Sequence, residues 1–202
     1  MLKAGLTGSI AVGKSFVCGV FEELGCHVLD ADQTAREVVE PKTLGLGLIV
    51  ENFGESILQK NGQLDRKKLG ELVFADESKR QLLNSLVHPL VKDKQDRWLK
   101  EKEIESPEGI AIVDAALMIE SGGHTRFDKL IVVWCKPDIQ LQRLMLRDKL
   151  SRKSALKRIE SQMPQEEKMK FSDYLIETTD GFEATREQVE KVYFELKELA
   201  AE

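Results

Sequence analysis

Gly8-Ser9-Ile10-Ala11-Val12-Gly13-Lys14-Ser15 is the stretch on which the reading of this chain turns. It fits the pattern G-x-x-x-x-G-K-[ST], in which each fixed position has a physical task. Glycines at 8 and 13 let the backbone turn where a Cβ would clash, so consecutive N–H groups point into one concavity. That nest and the helix N-terminus after it attract an anion. Lys14 adds a full charge that reaches β- and γ-phosphates, and the Ser15 hydroxyl is a ligand for Mg²⁺. Phosphate contacts are expected from Gly8, Ile10, Ala11, Val12, Gly13, Lys14, Ser15 and Phe16. Many such loops carry a second hydroxyl at the position of Phe16, so here only its N–H is left for an α-phosphate. The flanks suit the motif: Leu2 to Thr7 predicts a strand, and Phe16 to Leu24 a helix closing at Gly25. The competing reading is a Gly-rich turn with no ligand, and the strand–loop–helix setting weighs against it.

The chain has 202 residues, enough for one sizeable α/β core with an inserted subdomain. Its net charge of −5 is spread through mixed acidic and basic residues. That argues against nucleic acid as the main partner, while leaving room for small anions that need only local positive charge. Cys18, Cys26 and Cys135 are odd in number and widely spaced, so buried free thiols in a reducing compartment are expected rather than a zinc site. With neither a signal peptide nor a run of transmembrane length, a soluble cytoplasmic protein without membrane partners is expected.

Four further apolar runs predict strands: His27–Asp30, Ile110–Asp114, Leu130–Cys135 and Tyr174–Glu177. They are nearly continuous in apolar residues, as in parallel strands covered on both faces. Helical patterns alternate with them at 138–150 and 183–200. The expected architecture is α/β, a parallel sheet between two helical layers, with the active site at the carboxyl ends of the strands. Residues 33–107 break the rhythm and predict a helical insertion. Within it, Leu64 to Phe74 predicts one helix and a second begins at Asp76. The basic stretch 151–171, broken by Pro164, is a candidate lid or an ordinary solvated hairpin. The core is then about 1–32, 108–150 and 172–202.

Several side chains are placed to do chemistry. Asp30 and Asp32 close the second strand, which often neighbours the first in folds with such a loop. A carboxylate there could accept a proton from an attacking hydroxyl, hold Mg²⁺ through water, or merely cap a helix starting near Thr34. Asp114 ends four apolar residues, as an acidic group holding the metal's water shell does, or as any strand ending in a turn does. Glu120 is a substrate ligand or a surface charge. Arg143 and Arg147 share a helix face; Arg147 could neutralise the transferring phosphoryl group or pair with Asp148. Arg158 and Gln162 form a second candidate pair in the flap. His88 precedes Pro89, which would fit a first helical turn. Guanine-reading [NT]-K-x-D and switch D-x-x-G motifs are absent, which favours a kinase of a small acceptor over a GTP switch.

Taken in order, several segments resemble the dephospho-coenzyme A kinase family over nearly the whole length. They are Gly5-Leu6-Thr7-Gly8, Asp30-Ala31-Asp32 with Ala35-Arg36-Glu37-Val38-Val39, Gly62-Gln63-Leu64-Asp65-Arg66 and His88-Pro89. Asp114-Ala115-Ala116-Leu117-Met118-Ile119-Glu120, Arg143-Leu144-Met145-Leu146-Arg147-Asp148, Arg158-Ile159-Glu160-Ser161-Gln162-Met163-Pro164 and Ser172-Asp173-Tyr174-Leu175-Ile176 complete the set. The resemblance implies a P-loop three-layer fold: a five-stranded parallel sheet, a helical substrate subdomain and a helical lid. It implies ATP-dependent phosphorylation of the ribose 3′-hydroxyl of dephospho-coenzyme A, by a monomer or small homo-oligomer. Asp32 would be the general base, with Lys14 and Arg147 also catalytic. Asp32, Arg36, His88, Asp114 and Glu120 would meet the substrate, and Ser15 would hold Mg²⁺ with Asp32 or Asp114 through water. Val12, Phe16, Ala116 and Thr178-Thr179 depart from the family's usual residues. Another small-metabolite or nucleotide kinase, or an ATP-binding regulator without transfer activity, are the readings it competes with.

Overall fold

The computed structural model describes residues 1–201. The chain divides into two compact units, one of Met1–Asp30 with the chain from Glu101 onward, the other Ala31–Lys100.

The first unit is built on a five-stranded, all-parallel sheet. Its strands are β1 (Leu2–Thr7), β2 (His27–Asp30), β3 (Ile110–Asp114), β4 (Lys129–Trp134) and β5 (Tyr174–Glu177), in the order β2-β3-β1-β4-β5. The second strand therefore does not neighbour the first, against expectation: β3 lies between them. Burial gives the reason. Ile110 to Val113 are buried throughout, whereas the residues of β2 are half-buried or exposed. The apolar strand suits the interior and the mixed one an edge.

One face of the sheet is covered by α1 (Lys14–Glu23) and α9 (Phe182–Ala200). Ala4, Leu6, Ile112, Ile131, Val133 and Ile176 pack there against Val17, Phe21, Val189 and Leu196. α1 closes as its sequence predicts. Gly25 adopts φ +94 and the Cys26 N–H returns to the Phe21 carbonyl at 2.9 Å, satisfying an end carbonyl. Gly5 in β1 has no room for a side chain, since a Cβ would lie 2.6 Å from Met118 Sδ and 2.9 Å from the Phe127 ring. After β4 come α6 (Pro137–Asp148), α7 (Arg152–Glu160) and α8 (Gln165–Met169).

The second unit is helical: α2 (Ala31–Glu37), α3 (Leu44–Phe53), α4 (Arg66–Ala75) and α5 (Glu77–Glu105) as far as Lys100. Val39, Leu46, Ile49, Ile57, Leu64 and Leu69 form its own core. Three expectations are corrected here. α2 starts at Ala31 rather than near Thr34, so Asp32 lies in its first turn and does not cap it. Asp65 accepts the Lys68 N–H at 3.0 Å and caps α4, which leaves Leu64 outside the helix, bridged to Leu58. Pro89 sits inside a 29-residue helix, not in its first turn. Asp76 accepts N–H groups from Ser78 and Lys79, so the helix begins twelve residues earlier than Pro89 and carries it as a missing donor in its interior. Among the described residues no helix is long and apolar enough to cross a membrane. All three cysteines are free and buried.

Candidate active site

The phosphate loop joins Thr7 at the carboxyl end of β1 to Lys14 at the start of α1. Its path depends on close approach: a Cβ on Gly8 would lie 2.3 Å from the Val133 carbonyl oxygen. Ala11 and Gly13 take left-handed φ values of +62 and +92. The alanine holds that conformation at a cost of about 1 kcal/mol, which the surrounding bonds offset. The Ile10 carbonyl accepts from Gln140 Nε2 at 2.8 Å, and its N–H donates to Gln162 Oε1 at 2.8 Å. Among the described residues no backbone acceptor takes the N–H groups of Gly13, Lys14 and Ser15. These are the orphan donors of a helix start, gathered at one point.

Lys14 Nζ lies 3.8 Å from Asp114 Oδ1, both side chains being largely buried. Sheet register explains the meeting: Asp114 stands opposite Leu6 of β1 on one side and Asp30 of β2 on the other. Asp114 also reaches Cys18, one turn along α1, whose thiol is pushed far up by burial and by that carboxylate.

Arg143 and Arg147 of α6 line a cavity of about 460 Å³ together with loop residues 9 and 11 to 15. Their partners differ. Arg143 donates to Thr178 Oγ1 at 2.8 Å and to the Thr178 carbonyl at 2.7 Å, and Thr178 Oγ1 donates to the Val12 carbonyl. Arg147 donates to Asp148 at 2.8 Å, the pairing named as its alternative. Arg158 donates to the other oxygen of the same carboxylate at 2.6 Å, and the two guanidinium groups hold the Asp148 carboxyl below its ordinary range. Arg158 and Gln162 thus do not act as a pair: one turns to Asp148, the other to the phosphate loop.

Glu120, though in part exposed, is engaged by the protein itself. It accepts the Met163 N–H at 3.1 Å and pairs with Lys168 at 2.8 Å. Lys168 Nζ also donates to the Ala116 carbonyl at 2.7 Å, and its side chain is wholly buried. Burial pulls the ammonium below its ordinary range, against the pull of Glu120. Buried Gln165 spans the Cys135 peptide, accepting its N–H at 3.0 Å and donating to its carbonyl and to Gln140.

Asp32, Arg36 and His88 belong to the second unit. Asp32 is in the first turn of α2 and Arg36 in its last, where the Arg36 carbonyl accepts from Arg66 at 3.1 Å. His88 lies inside α5. This unit has its own cavity of about 290 Å³, lined by Glu40, Gln63, Asp65, Arg66 and Lys67 among others.

Sequence reasoning thus found the loop, Asp114 and both arginines of α6. It missed Gln140, Gln165 and Lys168, and marked Thr178 only as a departure from the family's usual residues, not as a brace behind the loop. Only the burial of polar groups marks these four, and burial is not written in the local pattern.

A magnesium ion fits the donors present. Ser15 and Asp114 offer hard oxygens, and Mg²⁺ takes one or two protein oxygens and fills its sphere with phosphate and water. Among the described residues no group of three or more His, Cys, Asp or Glu side chains could hold a metal by itself.

Comparison with known proteins agrees with this geometry. The family profile described as dephospho-CoA kinase matches residues 2–183. The dephospho-CoA kinase of Listeria monocytogenes is 44% identical over 185 residues, 92% of each chain. Among solved structures, the dephospho-CoA kinase from Campylobacter jejuni superposes with a TM-score of 0.73 at 31% identity, over 97% of both chains. A Thermus thermophilus protein, TT1252, gives 0.83 at 30% identity over 96% of both. Identity at this level along nearly the full length means that the chain belongs to the dephospho-CoA kinase family, ATP-using enzymes of the final step of coenzyme A synthesis.

Proposed function

We propose that this chain carries out its family's reaction with the residues assembled around the phosphate loop, placing a phosphoryl group from ATP on the ribose 3′-hydroxyl of dephospho-coenzyme A. The observation that carries this assignment of roles is the cavity of about 460 Å³ in which the loop faces Arg143 and Arg147. The loop N–H groups and Lys14 bind the β- and γ-phosphates. Ser15, with Asp114 or Asp32 through water, would hold Mg²⁺, which would supply charge neutralisation for the phosphates. Asp32 accepts the proton of the attacking hydroxyl. Arg147 leaves Asp148 for the transferring group, whose charge in a loose transition state spreads over its peripheral oxygens. Most of the rate then comes from placement and charge stabilisation.

In this reading residues 33–107 hold the pantetheine-bearing nucleotide through Arg36 and His88. Glu120 acts by holding residue 163 rather than by meeting substrate. Residues 151–171 close as a lid and exclude water that would hydrolyse ATP. The enzyme works in the cytoplasm as a monomer or small homo-oligomer.

ADP release from purified protein with Mg²⁺-ATP, with and without dephospho-coenzyme A, tests the reading. Acceptor-dependent release and a product heavier by one phosphate, located on the 3′-oxygen, are expected. ATP binding without acceptor stimulation would discard the acceptor.

A further inference from the structure

Gln162 stands out among the flap residues because its amide is fixed at one end and open at the other. The Ile10 N–H, 2.8 Å away, is a donor and can be met only by oxygen, so Oε1 faces the loop. The Nε2 group is left with two N–H donors and no protein acceptor among the described residues. Ile10 itself is clamped, since Gln140 holds its carbonyl.

The segment carrying Gln162 is anchored more heavily than a surface flap requires. Met163 N–H bonds Glu120, which is held by wholly buried Lys168, itself bonded to the Ala116 carbonyl. Two residues further on, Gln165 is fastened to both polar groups of Cys135. The other half of the flap, α7, is tied to α6 through the exposed Arg158–Asp148 pair. Gln162 is thus seated on the loop by bonds made within the protein itself.

We infer that Gln162 donates a hydrogen bond from Nε2 to the terminal phosphoryl group during transfer. This rests on the reading above that ATP phosphates occupy the loop. A neutral amide there adds a donor without competing with Lys14 for the carboxylate of Asp114. It is preorganised, because the bond that orients it is already made before substrate arrives.

Two variants separate this role from mere bracing of the loop. Gln162→Leu removes both ends of the amide. Gln162→Glu keeps the shape and the acceptor for Ile10 N–H but has no donor at neutral pH. Both should lower kcat roughly 10²-fold, the loss typical of one transition-state donor, with KM for ATP changing less than about threefold. The activity of Gln162→Glu relative to the unaltered enzyme should rise at least about fivefold from pH 8 to pH 5.5, as the carboxyl gains a proton and becomes a donor. Near-normal kcat for Gln162→Glu at pH 8 would reduce Gln162 to a brace and overturn the inference. Loss in both variants without recovery at low pH would overturn it equally. Melting temperatures identify a folding defect, and half-exposed Gln162→Glu is the variant least subject to one. Acceptor-dependent ADP release by the unaltered enzyme in the same assay tests the underlying reading separately: if it holds while both variants turn over normally, only the role of Gln162 fails.

Discussion

Thr178 Oγ1 lies 2.6 Å from the Val12 carbonyl oxygen, a buried hydrogen bond that ties the end of β5 to the phosphate loop. The same oxygen accepts from Arg143, so one hydroxyl holds both the loop and the first arginine of the cavity. Gly13 backs onto it: a Cβ there would stand 3.3 Å from Thr178 Oγ1.

Replacing that hydroxyl should be felt in two measurements. Thr178→Val leaves the Val12 carbonyl without its donor and takes from Arg143 its side-chain acceptor, leaving only the Thr178 carbonyl. It should cost about 1–3 kcal/mol in urea denaturation and raise KM for ATP. Thr178→Ser should restore most of both. Unchanged stability and KM in the valine variant would show the brace to be dispensable.

Lys14→Ala and Asp32→Asn should each lower kcat by at least ~10², with circular dichroism unchanged, from lost charge stabilisation and lost proton acceptance respectively. Near-normal turnover by Asp32→Asn would remove that residue from the role of base.

Arg147→Ala should harm kcat more than the affinity for dephospho-coenzyme A. Calorimetric titration beside steady-state kinetics reads the two quantities. Loss confined to binding would transfer Arg147 from the phosphoryl group to the acceptor.

Burial raises all three thiols, Cys26 to about 12 and Cys18 and Cys135 upward as well. Each thiol is then protonated in the folded chain at a pH where the unfolded chain has ionised. Their contribution is complete below the unfolded value near ~8.5 and is lost as pH climbs toward the folded values, by up to about 1.4 kcal/mol per pH unit for each fully displaced thiol. Urea midpoints should fall between pH 8 and pH 10. A thiol reagent at pH 8 should label none of the three until denaturant is added. Rapid labelling of the native protein would contradict the burial argument.

Lys168→Met strands the Glu120 carboxylate, whose side chain is 23% exposed, and should destabilise by roughly 2–4 kcal/mol. The double variant Lys168→Met with Glu120→Leu should recover part of that, and a double-mutant cycle in urea gives the coupling. No coupling between the two positions would mean that the anchor lies elsewhere.

Much of the fold could be read from the sequence because its signals are local. The five strands are apolar runs, the loop is a motif, and α1 stops at the glycine that lets it stop. Strand order was not legible, since the pairing of His27–Asp30 with Ala111–Asp114 is a contact between distant segments. Nor was the unbroken run of α5 through Pro89, a residue that by itself argues for a helix end. At the site, Lys14, Asp114 and Arg147 were legible as charges on a motif. Lys168 was hidden among the many basic residues of 151–171, and only its zero exposure separates it from them.

The strand order also sets when the chain can fold. β1 is made first, yet its partners are β3 and β4, so Leu2 waits for Ile110 and Ala4 for Lys129. β2 likewise waits for β3. During synthesis the first two strands and the phosphate loop leave the ribosome with no sheet to join, whereas the helical residues 31–100 can gather their own core beforehand. Closure of the sheet over such separations is slow, and the unpaired edges of β1 and β2 are the places where a newborn chain is open to aggregation or to a chaperone.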